Sequence, residues 1–239
     1  MSSGQDRASE SGQGEASVER LTAALKSLRD QPRDAATTTV RAWGAAKVPA
    51  LVAVLRRADN STRSLASWAL SLIGESAVPA LLPLLNAEEE AVRFYAALAL
   101  GRIADLQSLE PFIGLLDDES AWVRTTVSEN LANFADPCAV DALFKALEDP
   151  FWEVRYNAIY GLRERREKRA VPALLALLKD TTSEVRAAAA DALGDLGDSQ
   201  VLPALQWLAD HDTTETYEGN SVKISAELAI KKIVRRQEG

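Results

Sequence analysis

Cys138 and His211 are the only cysteine and the only histidine in this chain of 239 residues. One thiol excludes an internal disulfide, and one imidazole leaves no His/Cys constellation for zinc. Stability must therefore come from packing. Long apolar runs are also scarce. Stretches such as AVPALLPLL (77–85) fall short of the roughly 20 residues that a membrane-spanning helix needs, and the N-terminus has no apolar signal core. These features predict a cytoplasmic protein with no membrane insertion. Basic residues number 27 against 35 acidic ones, for a net charge of −8. That balance disfavours binding by phosphate neutralisation, so no nucleic-acid partner is expected. The local exception, RERREKR (163–169), reads as a solvated helix end; its alternative reading is a contact for an acidic surface. Catalytic signatures are missing as well: there is no Gly-x-Ser-x-Gly elbow, no phosphate loop and no histidine in an acid–base constellation.

What the chain does contain is a repeat. AVPALLPLL (77–85), SLEPFIGLL (108–116), AVDALFKAL (139–147), AVPALLALL (170–178) and VLPALQWLA (201–209) each begin 31 residues after the last. A second block follows the first four: AVRFYAALALGRI (91–103), WVRTTVSENLANF (122–134), EVRYNAIYGLRER (153–165) and EVRAAAADALGDL (184–196). Arg93, Arg124, Arg155 and Arg186 share one register in it, and Arg63 holds that place in an earlier copy. Both blocks have helical period. Val171, Leu174, Leu175 and Leu178 form one apolar stripe, as do Val185, Ala189, Ala192, Leu193 and Leu196. Each unit is thus a pair of short antiparallel helices, too small to bury its stripe alone, and neighbouring units must stack.

The repeated AVPALLxLL…VRxxAAxALGxI pattern, over residues 48–233, resembles the HEAT repeat in its short, E-Z form, as in phycobilisome lyase HEAT-like repeats. The resemblance implies an all-α fold, a right-handed α-solenoid of about six stacked helix pairs. Residues 1–17, rich in Ser, Gly, Gln and Glu, read as a disordered tail, and 18–46 as N-terminal capping helices. Residues 47–200 hold the HEAT-like repeats; 201–239 form a last repeat with an inserted loop at 211–220 and a capping helix. A di-iron hydroxylase of the same class is excluded, because its repeated His-Glu ligand pairs cannot be built with one histidine.

In such solenoids the second helices line the concave surface. A helical wheel starting at Glu184 puts Glu184, Ala187, Ala188, Asp191 and Asp195 on the arc facing away from the core. The same register in earlier copies gives Trp68, then Phe94, Tyr95, Leu98 and Arg102, then Trp122, Thr125, Thr126, Glu129 and Asn133, then Tyr156, Asn157, Tyr160 and Glu164. These residues are expected to form an aromatic binding groove, closed at its far end by Ala187, Ala188 and Asp191. The competing assignment buries the aromatics between adjacent second helices. Phe151 and Trp152 are assigned to packing. Asp118–Arg124, Asp149–Arg155 and Asp180–Arg186, each six residues apart, read as charge-assisted bonds tying adjacent turns, and Cys138 as an incidental thiol in an inter-repeat turn.

Two functions fit these features. The first is a non-catalytic scaffold or adaptor that grips a partner protein on the aromatic face and carries no metal or cofactor. The second is implied by the resemblance: a phycobilin lyase subunit, or a chaperone handling tetrapyrroles or phycobiliproteins. It would hold a bilin in the groove and work with another HEAT-repeat subunit or a phycobiliprotein, which is the form any enzymatic role would take.

Overall fold

The structure, a computed structural model, describes residues 18–217 and 219–238. The tail expected at 1–17 lies outside them. The fold is an all-α array of stacked helix pairs of the solenoid type. Its packing separates two compact units, Met1–Leu115 and Leu116–Gly239. Unit one contains α1 (residues 18–28), α2 (Arg33–Trp43), α3 (Val48–Arg57), α4 (Asn60–Ile73), α5 (Val78–Leu81), α6 (Glu90–Ile103) and α7 (Leu106–Gly114). Unit two contains α8 (Ala121–Asn130), α9 (Pro137–Ala146), α10 (Trp152–Glu164), α11 (Val171–Leu177), α12 (Ser183–Leu196), α13 (Leu202–His211) and α14 (Val222–Glu238).

In unit one α3 packs on α4, and α4 packs on α6. In unit two the second helices form a row, α8 on α10, α10 on α12 and α12 on α14, with α9, α11 and α13 behind them. The apolar stripes meet in the layer between the two sets. Leu51, Leu55 and Leu70 are fully buried in unit one, as are Leu143, Leu162, Leu174 and Leu193 in unit two. Pro49, Pro79, Pro137, Pro172 and Pro203 occupy the first turn of the first helices, where the missing N–H is no loss. Asn60–Asn86 is long and apolar enough by length and composition to cross a membrane, with a mean hydropathy of 1.5. It is folded differently here. Gly74, at φ 79°, ends α4 in a conformation open to glycine, and the chain continues into α5 with its apolar side chains in the core.

The aspartate–arginine series differs from its sequence reading. Within one repeat, the arginine six residues on donates to the aspartate's backbone carbonyl: Arg124 to Asp118 at 2.9 Å, Arg155 to Asp149 and Arg186 to Asp180 at 2.8 Å. The ion pair runs to the next repeat instead. Arg124 meets Asp149 through Nε and Nη2 at 2.8 and 3.1 Å, and Arg155 meets Asp180 at 2.8 and 2.7 Å. Arg186 donates to Asp212 at 2.6 Å. Each carboxylate also accepts the N–H two residues on, at Phe151, Thr182 and Thr214. One aspartate therefore closes its own turn while receiving the previous repeat's cation. Unit one varies the theme, with Arg63 donating to the Leu55 carbonyl and pairing with Glu89. Wheel and spacing arguments see contacts along one helix; this contact spans two repeats.

At the C-terminal end α14 lies close against α12. A Cβ on Gly194 would stand 2.8 Å from the Ala229 backbone, so only glycine permits that approach. Arg236 reinforces it by donating to the carbonyls of Gly194, Asp195 and Gly197.

The side chains of Arg155 and Asp180 are 12% and 7% exposed, so removing one partner strands a largely buried charge. Arg155→Ala is expected to destabilise the protein by about 3 kcal/mol in urea unfolding, with Arg155→Lys restoring only part because lysine lacks the planar fork.

Candidate functional site

Unit one holds five of the expected site residues. Trp68, Phe94, Tyr95 and Leu98 are half-buried and Arg102 is exposed. The Phe94 and Tyr95 rings pack edge to face with centroids 4.9 Å apart, and the Ser67 hydroxyl donates to the Tyr95 carbonyl at 2.9 Å. Burial pushes the Tyr95 hydroxyl's pKa up. These aromatics of α4 and α6 are partly engaged in packing between second helices.

Unit two presents a more open surface. Trp122, in the first turn of α8, is 59% exposed, and its ring meets Phe151 edge-on at 6.2 Å. Tyr160 is 38% exposed on α10, with Tyr156 and Asn157 half-buried one turn earlier. Glu129, Asn133 and Glu164 are exposed, and with Asn157 they border an open depression beside the two tyrosines. Asn133 donates to the Asn130 side chain at 3.3 Å.

A second, smaller cavity of about 270 Å³ opens on the other side of Tyr156 and Tyr160. Trp152, Tyr156 and Tyr160 of α10 and Ala187 and Ala188 of α12 line it, with Thr125 of α8 and Ser225 of α14 at its edges; Thr216 and Tyr217 of the inserted loop border it, the tyrosine 95% exposed. The rings are not parallel. Trp152 and Tyr156 lie 6.1 Å apart at 77°, and Tyr156 and Tyr160 lie 4.8 Å apart at 48° with hydroxyls 3.3 Å apart.

The lining is acidic. Glu153, Glu184 and Asp191 border the cavity, and none of its described lining residues is Lys, Arg or His. Burial pushes the Asp191 carboxyl up, against the pull of Arg163 and Lys232. Burial acts the same way on Glu184, but the backbone N–H of Tyr217, donating at 2.7 Å, and the Ser183 hydroxyl outweigh it and hold that carboxyl below its usual range. Glu184 thereby ties the inserted loop to α12. Glu153 Oε2 is buried without a hydrogen-bond partner among the described residues. Beyond the cavity, Asp195 binds both Arg163 and Lys232, and these cations hold it low in spite of its burial.

Three placements from the wheel are corrected. Thr126 is 3% exposed, with its hydroxyl donating to the Trp122 carbonyl. Ala187 and Ala188 are 7% and 3% exposed, and they form the floor of a cavity where a groove end was expected. The reason is the insertion: Thr216, Tyr217 and Asn220, together with α14, lie over the side of α12 that the wheel leaves open. Trp152, assigned to packing, begins α10 and lines the cavity, while Phe151 does pack, against Trp122. Trp152, Glu153 and Tyr217 were missed as lining residues. The signal that points to them is the inserted loop itself, because insertions in repeat arrays gather on one face. Cys138 lies in the first turn of α9, exposed, with Asp136 accepting from it and pushing its pKa up, which lowers its thiolate fraction. In the 163–169 cluster, Arg165 donates to the Phe134 carbonyl and Arg169 pairs with Glu167, so much of that charge is used internally.

The family model for HEAT repeats matches residues 48–132, 78–149 and 140–222. None of the curated proteins matches the chain. Among solved structures, the complex of CpcE and CpcF of phycocyanin lyase from Nostoc sp. is similar at 24% identity, covering 68% of this chain and 69% of that one, with a TM-score of 0.53. An engineered protein is similar at 25% identity, covering 79% and 97%, with a TM-score of 0.54. E. coli YibA shares 23% identity over 91% and 82% of the two chains, with a TM-score of 0.54.

Pairing holds the Asp195 and Asp212 carboxyls below the ordinary aspartate value against the opposing effect of burial. Their stabilisation is fully present above the unfolded aspartate pKa of about 4 and is lost as pH falls through the lower folded values. Thermal unfolding followed from pH 5 down to about pH 2 should show a steep loss of stability, and Asp212→Asn should flatten that slope while lowering stability at neutral pH.

Proposed function

The chain belongs to the HEAT-repeat family, and we propose that it is a scaffold or adaptor, working in the cytoplasm by binding, that holds a partner protein on the aromatic second-helix face of unit two. The observation that carries this reading is the exposure of Trp122 and Tyr160, at 59% and 38%, on neighbouring helices whose framework charges are already paired. Large exposed aromatics on a rigid face supply desolvated contact area at little entropic cost, and they are the side chains enriched at interface hot spots. Glu129, Asn133, Asn157 and Glu164 beside them provide the polar contacts that fix register. In unit one Trp68, Phe94, Tyr95, Leu98 and Arg102 offer a further, more packed surface of the same type.

The Nostoc structure is a complex of two chains of a phycocyanin lyase, which favours a partner-bound mode of action and keeps a bilin as the alternative cargo. The cavity of about 270 Å³ argues for a smaller occupant. It lies below the roughly 300–1,000 Å³ of clefts that enclose drug-sized ligands, so a single protruding side chain suits it, whereas the open depression of about 560 Å³ bordered by Glu129, Asn133 and Glu164 is the one a bilin would use.

Trp122→Ala and Tyr160→Ala are each expected to weaken binding of the partner isolated from the native cell by about 2 kcal/mol, roughly 30-fold, with thermal unfolding little changed. Equal affinity for both variants and the wild type would remove this face from the account. A visible-absorption change on mixing the purified protein with a bilin would favour the alternative cargo.

A further inference from the structure

The small cavity of unit two has a composition that selects for one kind of group. Three carboxylates line it, and no cation does among the described residues. The cations that act on these carboxylates, Arg163 and Lys232 on Asp191 and Arg186 on Glu184, are paired with Asp195 and Asp212. Glu153 borders the cavity and its Oε2 has no hydrogen-bond partner among the described residues, so that oxygen can accept from a donor the occupant brings. The aromatic faces of Trp152, Tyr156 and Tyr160 attract cations through their ring quadrupoles. Arg163, 5.8 Å from the Tyr160 ring centre, already exploits one such face from within the chain.

Shape narrows the choice. Rings inclined at 77° and 48° surround a rod better than they sandwich a plate, which disfavours the flat guanidinium of arginine. A quaternary ammonium would leave Glu153 without its hydrogen bond. An alkyl stem ending in a primary ammonium satisfies both conditions, since its methylenes lie against the rings and its N–H groups reach the carboxylates. We propose that this cavity receives a lysine side chain of the partner protein; the inference rests on the binding reading above and names what that face recognises. Ala187 and Ala188 keep the floor small enough to admit the stem, and Glu184 holds the loop backbone at Tyr217 in place.

The test uses the full chain and n-butylammonium, which is the lysine side chain without its backbone, with n-butanol as the neutral match. Binding is followed through the indole N–H resonance of Trp152. The ammonium should shift that resonance saturably, with n-butanol and tetramethylammonium each at least about ten-fold weaker. Glu153→Gln and Tyr156→Leu should each weaken the ammonium about ten-fold while the far-UV circular dichroism is unchanged. A short peptide containing one lysine should bind, and its Nε-acetylated form should not. Equal binding of n-butanol, tighter binding of tetramethylammonium, or equal binding of the acetylated peptide would overturn the proposal. Binding of n-butylammonium without any binding of the lysine peptide would overturn the assignment to a partner's side chain. Should the cavity bind as described while Trp122→Ala, which lies outside the cavity, leaves partner affinity intact, the adaptor face is wrong and the cavity's chemistry stands.

Discussion

An arginine that reaches from one helix pair to the aspartate of the next sets the spacing on which unit two depends. Arg124, Arg155 and Arg186 each grip a backbone carbonyl at the start of their own second helix and the carboxylate that closes the following turn. The paired carboxylates are largely buried, so the contact has little competition from water. Apolar stripes are forgiving of small slips between neighbouring pairs. A bidentate ion pair with a fixed fork is not, and it locks each pair at one displacement from its neighbour.

That locking has a consequence for the exposed side of the second helices. Because the framework charges are satisfied behind α8, α10 and α12, residues facing away from the core are released from structural duty. Trp122, Tyr156 and Tyr160 are therefore held by their helices without being consumed in the core, which is the condition for a rigid binding surface. The last repeat departs from the others in a way that adds a concave feature. Its inserted loop folds back over α12, Glu184 pins it through the Tyr217 N–H, and the small side chains of Ala187 and Ala188 leave room beneath. Glycine at 194 does the corresponding service for α14 by allowing close approach.

Much of the architecture was legible in the sequence, since a 31-residue period, two helical stripes per period and a recurring arginine leave few folds available. The partner of that arginine was not. Spacing within one repeat suggested Asp149 for Arg155, whereas the carboxylate that pairs with it belongs to Asp180 in the next one. A wheel describes a single helix, and so it gave Ala187 and Ala188 to solvent although a distant segment covers them. The same limit explains the cavity. Tyr156 and Tyr160 are visible as outward aromatics, but Thr216 and Tyr217, which border the cavity, lie in an insertion whose path no periodicity describes. Trp152 stands at a helix start, where side-chain orientation depends on the preceding turn and not on helical period.

Photo-crosslinking in the native cell reaches the central claim most directly, that the second-helix face of unit two is where the partner sits. A benzophenone side chain placed at Tyr160 on α10 is compared with one at Phe144 on α9, which belongs to the row of first helices. The account predicts one discrete adduct from position 160, competed by the untagged protein, and none from position 144. An adduct confined to position 144 would contradict it.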